Sequence, residues 1–241
     1  MRLATGIIPA RYRSRRFPGK PLALIQGKPM IQRVYERARE ARCIERLIIA
    51  TDDEEIFAAA QGFGAEVQMT SSLHNSGTER VAEVAKEVNN SIIINIQGDE
   101  PLLRGVMVDD LVKALQDKTI PMATLAAKQK DMDLLDDKNI TKVLVDREGF
   151  ALNFSRSPLP RQAPDYFWQH VGIYGYQKEF LVALCEMPPS KSEKAENLEQ
   201  LRALENGYKI KVIETQFSTL SVDSPQDIIK VENFLNKGAN D

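Results

Sequence analysis

Cysteine is scarce in this chain. Only Cys43 and Cys185 occur among 241 residues. They lie far apart with no C-x-x-C, which excludes a disulfide framework and a cysteine-built zinc site. Long apolar runs are also missing. The run SIIINI at 91–96 falls far short of the roughly 20 residues a membrane helix needs. The opening residues MRLATG do not read as a signal peptide, so the expectation is a cytoplasmic protein with no membrane partner. Charge of one sign is lacking as well, with 32 Lys and Arg against 34 Asp and Glu for a net charge of -2. With aromatics at 7% and no stacking platform, a nucleic-acid partner is not expected. There is no G-x-G-x-x-G. Lys20 is followed by Pro21, so no P-loop is present either. A dinucleotide-dependent hydride transfer and a P-loop ATPase both drop out.

What remains is an ordinary globular composition, 43% hydrophobic and 27% charged, in a chain long enough for a sizeable core. No internal repeat or low-complexity linker interrupts it. Short apolar runs alternate with helical patterns in the first half. Strands are expected at 6–9, 47–51 and 92–96. Helices are expected at 29–42, at 53–61 ended by Gly62 and Gly64, around Val81, Val84, Ala85 and Val88, and around Val108, Leu111, Val112 and Leu115. Strand–helix alternation with continuously apolar strands means βαβ units and a parallel sheet covered on both faces. The second half is mixed. A hairpin spans 142–155, strands fall at 171–176 and 210–213, a helix at 197–204, and a closing helix at 225–235 with Ser224 as its cap.

In such sheets ligands sit at the carboxyl ends of the strands. The segment after the first strand is ARYRSRRFPGK, with Arg11, Arg13, Arg15, Arg16 and Lys20 in a mildly acidic protein. Arginine grips phosphate oxygens in a fork and lysine adds a point charge, so the loop reads as a polyphosphate cradle rather than a solvated patch. After the third strand stands QGDEP. Its Asp99 either caps the next helix or holds Mg²⁺, an ion that takes one or two carboxylates and phosphate oxygens. Asp223, before the closing helix, carries the same two readings. Ser76, Gly77, Thr78 and Glu79 open a helix, either as a capping box or as small groups that read a base edge.

The stretches PARYRSRRFPGKPL, ATDDEEI, NSGTERV, NIQGDEP, NFSRSPLP, HVGIYGY, ENLEQLRALENG and VDSPQDI run in order over essentially the whole chain. Together they resemble the 3-deoxy-manno-octulosonate cytidylyltransferase family. The resemblance implies an α/β nucleotide-diphospho-sugar transferase fold, a mixed and mostly parallel sheet flanked by helices with a smaller β-rich lobe. It implies one domain over 1–241, with a nucleotide-binding part roughly at 1–125, a sugar-binding and dimerisation part roughly at 126–220 and a closing helix at 224–237. It implies transfer of CMP from CTP to 3-deoxy-D-manno-octulosonate (Kdo), with Mg²⁺, by a homodimer that feeds lipopolysaccharide synthesis. By the same resemblance Ala10, Arg11, Arg16, Lys20, Ser76, Gly77, Thr78 and Arg80 would bind the nucleotide. Asp99 and Asp223 would hold the metal and act with Lys20 in catalysis. Gln97, Arg156, His170, Tyr174, Glu199 and Gln200 would surround the sugar acid. Arg13 and Arg15 receive no role. The stretch between Arg156 and His170 is shorter than in many family members. Two alternatives stand beside this reading: a cytidylyltransferase for another acidic sugar such as 8-amino-Kdo, and a non-catalytic CTP-binding protein of the same fold.

Overall fold

The structure is a computed structural model that describes residues 3–13, 17–160, 163, 165–217 and 219–238. It contains two compact units, Met1–Asp109 with Thr219–Asp241, and Asp110–Ser218. The seam falls inside a helix, between Asp109 and Asp110.

In the first unit, strand β1 (Ala4–Ala10) leads through a one-turn 3₁₀ helix (Lys20–Leu22) and the small β2 (Leu24–Ile25) and β3 (Lys28–Pro29) to helix α1 (Met30–Ala38). Then follow β4 (Ile44–Thr51), α2 (Glu54–Gly62), β5 (Glu66–Met69), α3 (Gly77–Ala85), β6 (Ile92–Asn95) and α4 (Gly105–Ala114). Strand β1 pairs in parallel with β4 and β6, and β4 in parallel with β5. Isoleucines Ile7, Ile8, Ile48, Ile49, Ile93 and Ile94 are fully buried, as the unbroken apolar runs require of a sheet covered on both faces. Asp53 starts α2 by accepting from the N–H groups of Glu55 and Ile56 at 3.0 and 3.1 Å. Strand β5 has no counterpart in the sequence reading. It is four residues long, exposed or half-buried throughout, and an edge strand needs no apolar run.

In the second unit, β7 (Met122–Gln129) is followed by β8 (Lys142–Val145), β9 (Ala151–Ser155), β10 (Phe167–Gln177), α5 (Lys178–Glu186), α6 (Lys191–Glu196), α7 (Gln200–Glu205) and β11 (Ile210–Thr215). Strand β7 pairs antiparallel with β10 and parallel with β11. The expected hairpin is β8–β9, antiparallel from Lys142 opposite Ser155. Its turn is built on Asp146, which accepts from the N–H groups of Glu148 and Phe150, and on Gly149 at φ 81°. Strand β7 escaped the sequence reading because its core-facing residues include three alanines, weak strand formers. The expected helix at 197–204 begins later, as α7 at Gln200. Asn197 takes the left-handed conformation at φ 54° and ends α6, and α7 starts afresh. The cue for α6 was present in Ser190 and Glu193, which form a reciprocal capping box.

The chain returns to the first unit in α8 (Pro225–Gly238). Val222 and Val231 pack with Ile25, Met30 and Leu102, so the closing helix seals the region behind the first loop. Ser224 stands immediately before α8 and is tied to its first turn. Its hydroxyl donates to Asp227 Oδ2 at 2.8 Å, and its N–H donates to the same oxygen.

Candidate active site

In the first unit the sequence motifs gather around the carboxyl end of β1. Ala10 ends that strand, nearly buried, and Arg11 follows it exposed. Arg16, expected on the triphosphate, lies outside the described residues, as does Arg15. The loop closes where the Gly19 N–H meets Tyr12 O at 3.0 Å. Gly19 takes φ 71°, a conformation glycine adopts without strain. Pro9 is approached from two sides. A Cβ on Gly77 would stand 3.2 Å from the proline ring, and one on Gly98 would stand 3.0 Å from its carbonyl oxygen. A Cβ at either position would press on Pro9 near the end of β1, which would have to give by a few tenths of an ångström.

Lys20 is the hub. Its ammonium donates to Asp99 Oδ2 at 2.6 Å and to Val222 O at 2.9 Å. Asp223 Oδ1 lies 3.8 Å away. Three segments distant in sequence therefore meet on one cation. Asp99 stands well ahead of the next helix, α4, so its capping reading gives way. The arrangement also fits Mg²⁺. Two hard carboxylates already share one cation, and Mg²⁺ completes its shell with water and phosphate oxygens rather than with more side chains. Among the described residues no group of three or more His, Cys, Asp or Glu is disposed to hold a metal unaided, in keeping with such an incomplete site.

Beside Asp99, the buried carboxyl of Glu100 accepts from Thr219 and Ser221, and burial together with the Asp99 charge pushes it up to about 8. The Val222 N–H donates to Asp99 O at 2.9 Å. QGDEP and the stretch before Asp223 are thus stitched together. The sequence reading passed over Glu100, whose only signal was its place next to Asp99.

Ser76 caps α3 by accepting from the Glu79 N–H at 3.2 Å, while Glu79 reaches back to the Asn75 N–H at 2.8 Å. Thr78 is buried, with Asn95 Nδ2 donating to its hydroxyl at 3.4 Å, and Gln97 Nε2 donates to Asn95 Oδ1 at 3.0 Å. Arg80 departs from a simple nucleotide contact. It is 3% exposed, pairs with Asp52 Oδ2 at 3.0 Å, and donates to Thr70 Oγ1 and, at 3.4 Å, to Ser71 O. A guanidinium committed to those acceptors holds α3 to the ends of β4 and β5. Asp52 lies in a strand-end segment that the fold rule singles out, but its partner could not be read from order alone.

Of the residues expected on the sugar acid, Gln97 lies in the first unit and Arg156, His170, Tyr174, Glu199 and Gln200 lie in the second. Arg156 follows β9. Its N–H donates to Glu196 Oε2 at 2.9 Å and its guanidinium reaches Lys138 O at 3.3 Å. His170 on β10 packs against Phe154 edge-on at 5.1 Å and against Tyr174 at 5.4 Å. The Thr124 hydroxyl donates to Ile173 O at 2.9 Å and so accepts from His170 Nε2, also at 2.9 Å. That leaves Nδ1 as the open acceptor. Burial, helped by the Arg156 charge, pushes the imidazole down to about 3. Burial, then the Glu199 charge, pushes the Tyr174 phenol up. Both rings are therefore neutral at pH 7. Gln200 at the start of α7 is 3% exposed, and its Nε2 has no partner among the described residues. A buried donor without an acceptor is costly unless a ligand supplies one.

A neutral His170 makes stability depend on pH. The unfolded imidazole takes its proton near 6.5 and the folded one near 3, so between those values the unfolded state binds more protons and stability falls as pH falls. Arg156 opposes protonation of the ring, and Tyr174 stays neutral against it. Urea unfolding of the wild type should lose about 2 kcal/mol more than that of His170→Gln between pH 7 and pH 5. Equal losses would show that the ring is solvated.

A parallel sheet whose first strand leads to a lysine held between two aspartates is the layout of a nucleotidyltransferase. Comparison with known proteins narrows the class. The chain belongs to the 3-deoxy-manno-octulosonate cytidylyltransferases: the Cytidylyltransferase family model matches residues 5–210, and curated members of that name align along nearly the whole chain. The Syntrophotalea carbinolica protein is 48% identical over 96% of this chain and 98% of its own, and the Geotalea uraniireducens protein is 46% identical over 97% and 99%. A solved CMP:2-keto-3-deoxy-manno-octonic acid synthetase complexed with CTP matches with a TM-score of 0.92 at 40% identity, covering 98% of this chain and 99% of that one. It shares the α/β fold with a mixed, mostly parallel sheet flanked by helices. A 4-diphosphocytidyl-2C-methyl-D-erythritol synthase from Anaerococcus prevotii, at 16% identity and TM-score 0.65, shares the fold alone.

Proposed function

We propose that this protein transfers CMP from CTP to the anomeric hydroxyl of Kdo and releases pyrophosphate, supplying activated sugar for lipopolysaccharide synthesis. The observation that carries the reading is the meeting of Lys20 with Asp99 and Asp223, in a chain nearly half identical to curated cytidylyltransferases. The anomeric oxygen attacks the α-phosphorus in line. One P–O bond forms, the bond to the β-phosphate oxygen breaks, and the hydroxyl proton passes to solvent. No covalent enzyme intermediate is needed, so positioning and charge neutralisation carry the rate.

Ala10, Arg11, Arg16 and Lys20 take the triphosphate, the cations stabilising charge on the departing pyrophosphate. Ser76, Gly77 and Thr78 take the cytidine, with Arg80 behind them. Asp99 and Asp223 would hold Mg²⁺, which when bound neutralises phosphate charge. Arg156 matches a carboxylate-bearing substrate, Gln200 offers an unused buried donor, and Gln97, His170, Tyr174 and Glu199 complete the surroundings of the sugar acid. The same reading makes the enzyme a cytoplasmic homodimer. Among the described residues no helix is long and apolar enough to cross a membrane.

The test is pyrophosphate release from CTP and Mg²⁺ with Kdo, 8-amino-Kdo or N-acetylneuraminate as acceptor. Release with Kdo is expected, with Arg156→Ala raising the Kdo KM at least tenfold. Preference for another sugar would keep the nucleotide half and overturn the sugar assignment. CTP binding without release from any acceptor would favour a non-catalytic binder.

A further inference from the structure

Lys142 opens β8 and is 1% exposed, yet the chemistry above makes no use of it. Among the described residues no carboxylate forms an ion pair with it. Its ammonium donates instead to two backbone carbonyls, Asp137 O at 2.6 Å and Arg156 O at 3.0 Å. Burial lowers its affinity for the proton, which marks the position as costly for a charge. An apolar side chain of the same length would fill the space at less cost. The distinctive contribution of the ammonium is its hold on those carbonyls.

The grip on Arg156 is two-sided. Its C=O is held by the Lys142 cation. Its N–H is held by the Glu196 anion at 2.9 Å, and Glu196 is itself held by Ser155 Oγ at 3.1 Å. Ser155 is the residue opposite Lys142 in the hairpin, and Lys142 also faces Gln169 on β10. One residue earlier, Thr141 O accepts the His170 N–H at 2.9 Å. The start of β8 therefore fixes the backbone of both Arg156 and His170. With the N–H and the C=O of one residue gripped by opposite charges, the two peptide units that flank its Cα hold little freedom, so the root of the Arg156 side chain is set before any ligand arrives.

We infer that Lys142 and Glu196 form a charged clamp on the Arg156 backbone and act as positioning residues for recognition of the sugar acid. The inference rests on the proposed role of Arg156. Neither clamp residue touches substrate. Each works by keeping the guanidinium pre-aimed, so that binding a carboxylate costs less ordering. A small misplacement at such a site has a large effect.

Lys142→Met keeps length and removes the charge, and Glu196→Gln keeps shape and removes the anion. Steady-state kinetics with Kdo and CTP, together with thermal unfolding, separate the possibilities. Lys142→Met should raise the Kdo KM about tenfold and leave the CTP KM within about twofold, with Glu196→Gln moving the same way. In an Arg156→Ala background the clamp substitutions should add nothing. A folded Lys142→Met enzyme with unchanged Kdo KM, while Arg156→Ala raises it, would overturn the clamp. Equal changes in both KM values would reduce Lys142 to a structural role. Should Lys142→Met fail to fold, the same comparison with Glu196→Gln decides. Unchanged Kdo KM in Arg156→Ala would instead overturn the role of Arg156, and the clamp with it.

Discussion

Asp99→Ala should lower pyrophosphate release about a thousandfold while the fold stays intact, a loss in the range seen when one charge-stabilising group is removed from a polar transition state. The side chain is a quarter exposed and its partner Lys20 about a sixth, so truncation opens no core cavity. The backbone link from the Val222 N–H to Asp99 O survives the change, and so does the bond from Lys20 to Val222 O. What disappears is the stronger of the two carboxylates on the shared cation. Asp223 lies farther from Lys20, at 3.8 Å, and nearly half its side chain is exposed. Asp223→Ala should therefore cost less. Kinetic assays with a Mg²⁺ titration, read beside circular dichroism, check both. Turnover near the wild-type level in Asp99→Ala would discard the metal assignment.

Part of this arrangement is legible in the sequence itself. The apolar strands β1, β4 and β6 announce themselves as unbroken isoleucine-rich runs, and once they are placed the rule about strand ends selects Lys20, Asp52 and Asp99 as residues to inspect. Pairing partners were not legible. That Lys20 reaches Asp223, some two hundred residues later, depends on Val222 and, in α8, Val231 packing against Met30 and Leu102, a long-range contact that leaves no local pattern. Strand β7 was hidden because alanine-rich strands carry no β signal. The helix expected at 197–204 was started too early because Asn197, the left-handed residue that ends α6, carries no mark in the apolar pattern. Lys142 gave no cue either. In a sequence a buried lysine looks like any surface lysine, and only the carbonyls around it distinguish the two.

Arg80→Met should destabilise the protein by about 3 kcal/mol, the cost of leaving a largely buried partner unpaired, and should weaken CTP binding as well. Two explanations for the second effect compete. A direct contact would have the guanidinium touch the nucleotide. The structure commits it instead to Asp52, Thr70 and Ser71, behind the helix that presents Ser76, Gly77 and Thr78. On that geometry Arg80 supports the nucleotide site by tying α3 to the ends of β4 and β5, and Asp52 should matter as much as Arg80 does. Asp52→Ala then weakens CTP binding by a similar factor, and the double variant is little worse than either single one, because all three remove the same tie. Calorimetric CTP titrations on the three variants, with urea unfolding alongside, read both quantities. If Asp52→Ala spares CTP affinity while Arg80→Met loses it, the guanidinium must leave its buried partners and reach the nucleotide. The small residues of SGT would then be only part of what recognises cytidine.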